Sequence, residues 1–156
     1  MPRNEAALRT AVDQSAAVLT AAGFPKMPAR VLMALLVAPP GGLTALELAT
    51  ELGVSAAAIS GAVRYLEQIG ILHRLPQAGS RRERWEFLDD AWYSALLTKS
   101  NGVYGTLADL GDRAADALGD EHSAGARRAR EMAAFYRFCQ TRVPALLAEW
   151  EAQRAQ

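Results

Sequence analysis

The chain has 156 residues, 51% of them hydrophobic and 22% charged, with 17 basic side chains against 17 acidic ones and a single cysteine. A chain of that size buries roughly two-thirds of its unfolded surface in one core and leaves little room for a second, catalytic domain, and the composition excludes a disordered protein. The zero formal charge excludes a uniformly basic surface, the lone Cys139 excludes an intramolecular disulfide, and the longest apolar run, Val31 to Ala38, is too short for a bilayer span, so a cytoplasmic location with no membrane contact is the expectation.

Alanine supplies much of the apolar share, which favours closely packed helices over strands. The spacing of Leu8, Val12, Ser15, Leu19 and Ala22 predicts an amphipathic helix ending near Gly23. After the break at Phe24-Pro25-Lys26-Met27-Pro28, a second helix is expected over 28–38, opened by Pro28 and stopped by Pro39-Pro40-Gly41-Gly42. Thr44 and Glu47 form a capping-box pattern, so a helix of about two turns starts there and buries Leu48 and Leu52. Gly53-Val54-Ser55 then supplies a tight turn and a cap for a further helix that buries Ile59, Ala62, Val63 and Leu66 and ends at Gly70.

Ile71–Leu75 and Arg84–Leu88 read as the two strands of a hairpin with a long tip between them. Asp89 or Asp90 is expected to cap a long helix reaching about Leu118, which Gly102, Gly105 and Gly111 would kink. A last helix from about Ser123 carries Met132, Phe135, Tyr136, Cys139, Val143, Leu146 and Trp150.

Two short helices joined by a tight turn and followed by a hairpin match a winged helix-turn-helix, in which the second helix enters the major groove of duplex DNA. With Ile59, Val63 and Leu66 inward, its outer face presents Ser55, Ala56, Ala57, Ser60, Gly61 and Arg64. Small side chains let the backbone approach base edges, and Arg64 can reach a guanine or a phosphate. Gly61 costs about 1 kcal/mol relative to alanine in a helix, which either packing on the preceding helix or approach to DNA would explain. Ser55 has a plain role as a cap. Residues 55–88 hold five arginines against three glutamates, and Arg81, Arg82 and Arg84 would give the wing its charge. Thr44, at the start of the first helix of the pair, completes the candidate DNA-binding set.

Leu43–Ser55, Ala58–Leu72 and Gly79–Arg84 together resemble the MarR superfamily, and Gly23–Arg30 with Trp92-Tyr93 resemble its GbsR-like branch. The resemblance implies a mainly α fold with a small β-hairpin wing: an N-terminal dimerisation helix over 1–23, a winged helix-turn-helix over 24–88, and C-terminal dimerisation helices over 89–156. It also implies a homodimer on double-stranded DNA, repression of transcription, and release by a small-molecule effector. Ser55, Ala56, Ser60 and Arg64 would then face the major groove, while Arg81, Arg82 and Arg84 would form the wing. Before Arg64 the helix carries no Arg, Lys, Asn or Gln, so shape readout and phosphate contacts take a larger share of recognition.

The aromatics Trp92, Tyr93, Tyr104, Phe135 and Tyr136 would line an effector pocket, or else the core between dimer helices. Cys139, flanked by aromatics and without a resolving cysteine, reads as a buried, inert thiol. His73 and His122 have no partners at metal-ligand spacing, and no phosphate loop, dinucleotide fingerprint or nucleophile elbow occurs, so no metal, cofactor or enzymatic activity is expected. The other reading is a winged protein-interaction module, an antirepressor or adaptor, without DNA binding.

Overall fold

Asn4 accepts the Ala7 N–H through its side chain at 3.0 Å and so opens helix α1 (Glu5–Ala21). The computed structural model describes residues 4–77, 79, 82–90 and 92–156, with the backbone alone at 99 and 100. The fold divides into two compact units, one ending at Trp92 and one running from Tyr93 to Gln156.

In the first unit, α1 packs on α2 (Lys26–Leu36) through Val12 and Ala16, with Leu8 and Leu19 half-buried. Ser15 and Ala22, expected on that face, are exposed. The stripe follows steps of four residues from Leu8 through Ala16, and a small residue at the contact lets the helices approach. Helix α2 starts two residues before Pro28, behind Pro25 as its cap. Pro28 thus stands third in the helix, where a backbone N–H still has no intrahelical acceptor and its loss costs nothing. Nearly every side of α2 is covered, with Ala29 and Val31 fully buried, and it forms the centre of a core shared with Leu48, Ile59, Leu66 and Ile71.

Helices α3 (Ala45–Leu52) and α4 (Ala56–Gln68) lie against this core. Strands β2 (Leu72–Leu75) and β3 (Arg84–Phe87) form the antiparallel hairpin, with His73 opposite Glu86 and Leu75 opposite Arg84. A third strand, β1 (Leu43–Thr44), pairs with the other edge of β3, giving the order β1-β3-β2. The hairpin expected from the sequence is therefore a three-stranded sheet. Two residues are too short to show a strand period, and the partner lies about forty positions later in the chain.

The second unit holds α5 (Trp92–Ala117) from its second residue onward and α6 (Ala124–Arg154), the latter capped by Ser123. Helix α5 runs unbroken through its glycines. A Cβ at Gly105 would stand 2.6 Å from the Gln140 amide, and one at Gly111 would stand 3.0 Å from the Ala129 carbonyl, so these two glycines serve close approach to α6 rather than a kink. Ala108, Ala115, Ala126 and Ala133 are buried, and Arg130–Asp116 and Arg137–Asp109 ion pairs flank them. Among the described residues no single helix is long and apolar enough to cross a membrane.

Candidate nucleic-acid interface

Gly53 adopts φ +64°, a conformation that a side chain disfavours, and lets the chain bend by 113° between α3 and α4. That angle lies within the range of helix-turn-helix pairs. Ser55 accepts the Ala58 N–H at 3.3 Å and caps α4, as its position suggested. Ile59, Ala62, Val63 and Leu66 are all buried. The opposite face leaves Ser55, Ala56, Ala57, Ser60, Gly61 and Arg64 exposed.

A Cβ added at Gly61 would meet nothing within 4 Å. Packing on α3 therefore does not explain this glycine. Gln68, one turn beyond Arg64, is exposed on the same face and extends it beyond the residues the sequence predicts there. The signal that could have found it was the continued spacing of positions 57, 61, 64 and 68.

The wing residues do not share one role. Arg82 is exposed at the tip, and Arg81 lies outside the described residues. Arg84, read from the sequence as a wing contact, is turned inward. Its Nε donates to the Gly41 carbonyl at 2.9 Å and its Nη2 donates to the Gly42 carbonyl at 2.7 Å, while Nη2 lies 3.2 Å from Glu47 Oε2. Arg74 likewise bridges Glu67 at 3.3 Å and Glu83 at 2.7 Å. Arg84, with two backbone carbonyls as fixed acceptors, is held as a brace, whereas Arg74 is half exposed between two side-chain carboxylates, and charge counting along the chain cannot reveal either.

Thr44 is also placed differently from the exposed residues of α4. It is 9% exposed, and its hydroxyl accepts the Glu47 N–H at 3.2 Å while its own N–H donates to Glu47 Oε2 at 2.7 Å. The expected capping box is thus complete. The Thr44 N–H bond, with Arg84 adding to it, holds the Glu47 carboxyl below its ordinary value despite the opposing effect of desolvation. A depressed carboxyl pKa stabilises the fold above the unfolded pKa, and that contribution is lost as pH falls through the folded value. Wild type is accordingly expected to exceed Glu47→Gln in thermal stability at pH 7, with the gap closing as pH drops below about 4.5. Paired melts across pH 3 to 7 check this, and a gap independent of pH would contradict it.

The candidate effector aromatics are only partly gathered. Tyr104 stacks on Tyr136 with centroids 5.6 Å apart, and Phe135 packs beside Tyr136 at 5.8 Å. Tyr93 instead meets Trp150 edge-on at 6.0 Å and receives an Arg154 hydrogen bond at 2.8 Å. Trp92 packs on Phe87 in the first unit. Cys139 is half-buried rather than buried, on a groove of about 410 Å³ with Tyr104, Phe138 and Arg142. Among the described residues no three His, Cys, Asp or Glu side chains cluster as a metal site would require.

Comparison with known proteins agrees with this layout. Residues 22–83 match the profile of the MarR family, and residues 90–153 match that of the MmpR5-like MarR family transcriptional regulators. The chain is 33% identical over 121 residues to the HTH-type transcriptional regulator MmpR5 of Mycobacterium tuberculosis, across 78% of this chain and 73% of that one. A crystal structure described as a transcriptional regulator superposes with a TM-score of 0.79 at 29% identity, covering 93% of this chain and 98% of the other.

Proposed function

The chain belongs to the MarR family of transcriptional regulators, and from that premise we propose that α4 reads duplex DNA from the major groove while the wing grips the backbone. It is a DNA-binding regulator. The observation that carries the placement is the exposed face of α4. It is small-sided at Ala57, Ser60 and Gly61 and continues to Arg64 and Gln68, and the four apolar residues that anchor the helix are all turned into the core. A surface that smooth suits close approach to base edges, and the positive end of the helix dipole at Ser55 suits a phosphate.

We propose that the regulator acts as a homodimeric repressor in the cytoplasm, with residues 1–23 and 89–156 as its dimerisation helices and 24–88 as its DNA-binding part. The exposed Phe135, Phe138, Leu146 and Trp150 on α6 support the pairing, because so much apolar surface is costly in water. A small-molecule effector bound among the aromatics of α5 and α6 would release the DNA. Within the family, Gly23–Arg30 and Trp92-Tyr93 support a place near the GbsR-like branch.

The test is selection of duplexes from a random-sequence pool, with affinity followed from about 50 to 200 mM salt. An enriched inverted repeat is expected, bound by two subunits with affinity that falls steeply with salt. Arg64→Ala is expected to weaken binding about tenfold. A pool with no enrichment, or a variant that binds as wild type does, would remove the basis for α4 as the reading helix. Light scattering that gives a monomer at micromolar concentration would overturn the dimer.

A further inference from the structure

We infer that Arg84 is a positioning residue for DNA binding: its guanidinium fork sets the wing against the start of α3, and its charge is not offered to the nucleic acid. The inference rests on the DNA-binding reading above and concerns how the wing is held.

Arg84 opens β3, the central strand, where it faces Thr44 of β1 on one side and Leu75 of β2 on the other. Its side chain reaches back to the Gly41 and Gly42 carbonyls and to Glu47, which itself closes the cap of α3. Glu86, two residues along the same strand, accepts the Gly41 N–H at 3.0 Å. The loop that enters the helix pair is thus clasped from both ends of the strand that leaves the wing. On the other edge, Glu83 holds Arg74, which holds Glu67 of α4. The hairpin is therefore tied to α3 through Arg84, and Arg74 adds an ion-pair link to α4. A wing contact and the α4 face must meet one duplex together, so the angle between them enters the affinity.

A planar fork makes this arrangement possible, since one guanidinium donates to two carbonyls and meets a carboxylate in fixed directions. Lysine keeps the charge and loses the fork. With a duplex selected by the wild-type protein, Arg84→Lys is expected to bind about tenfold more weakly, at a temperature where circular dichroism shows the variant folded. The slope of log affinity against log salt is expected to match wild type, because no phosphate contact is lost. Glu47→Gln retains a capping-box residue and removes the ion pair, and it is expected to weaken binding in the same way, with less than additive loss in the double variant.

A slope reduced by about 1 in Arg84→Gln, which removes the charge, would make Arg84 a phosphate contact and overturn the inference. So would a folded Arg84→Lys that melts lower yet binds as tightly as wild type, since that is the signature of a purely structural arginine. Should Arg84→Lys not fold, Glu47→Gln decides: unchanged affinity overturns the inference, and loss at constant slope supports it. Wild-type protein that selects no duplex would instead sink the DNA-binding reading itself.

Discussion

Gly61→Leu is expected to fold with wild-type stability or better and to lose about a hundredfold in DNA affinity, near 2.7 kcal/mol. The two effects have separate origins. Within α4 a glycine carries a backbone entropy cost, so Gly61→Ala should raise stability by about 1 kcal/mol. A Cβ there meets no other segment of the chain within 4 Å, so the added side chain starts in open space. The same empty space is where a base edge or phosphate would lie if α4 enters the groove. Urea titration measures the first effect, and binding to the selected duplex measures the second. A Gly61→Leu protein that binds like wild type would show that this face of α4 does not approach DNA, while a destabilised Gly61→Ala would contradict the openness of the site.

Gly42→Ala is expected to cost about 3 kcal/mol or more, enough to lower the melting temperature by roughly 10 °C for a chain of this size. Gly42 combines φ +62° with a Cβ position that would overlap the Trp85 carbonyl oxygen and stand 2.7 Å from its carbon. These are backbone atoms of the central strand, fixed on both edges by β1 and β2, so the obstacle cannot swing aside as a side-chain tip would. Gly41 makes the internal control. Its φ of +91° is also unsuited to alanine, but no atom beyond its chain neighbours lies within 4 Å of its Cβ position. Gly41→Ala should therefore cost about 1 kcal/mol, the left-handed penalty alone. Equal losses at the two positions would mean that the contact with Trp85 contributes nothing. Since Gly41 and Gly42 also supply the carbonyls that receive Arg84, the loop at these positions joins the stability of the first unit to the placement of its wing.

Comparing the two glycines also shows which information lay in the chain and which did not. Features written within a few residues were legible directly. The Thr44–Glu47 box, the left-handed Gly53, the Ser55 cap and the buried stripe Ile59, Ala62, Val63, Leu66 all follow from three- and four-residue spacings, and each stands in the structure where the sequence placed it. The exposed face of α4 came with them, because a helix whose inner stripe is known has its outer stripe determined too. From these the winged helix-turn-helix and its family resemblance could be read. Whatever depended on distant partners could not be. Nothing local distinguishes Arg84, braced on Gly41, Gly42 and Glu47, from the exposed Arg82 two positions earlier. Strand β1 exists only because β3 offers it an edge, Gly61 is open and Gly42 is crowded only because of what other segments bring near them, and Gly105 and Gly111 accommodate α6 rather than bend α5. Caps and periodicities are properties of consecutive residues, so the sequence by itself determined the elements and the face they present. Hydrogen bonds and close contacts across some forty positions form only when the chain has closed on itself, and the tertiary structure alone decided which arginines are braces and which glycines are indispensable.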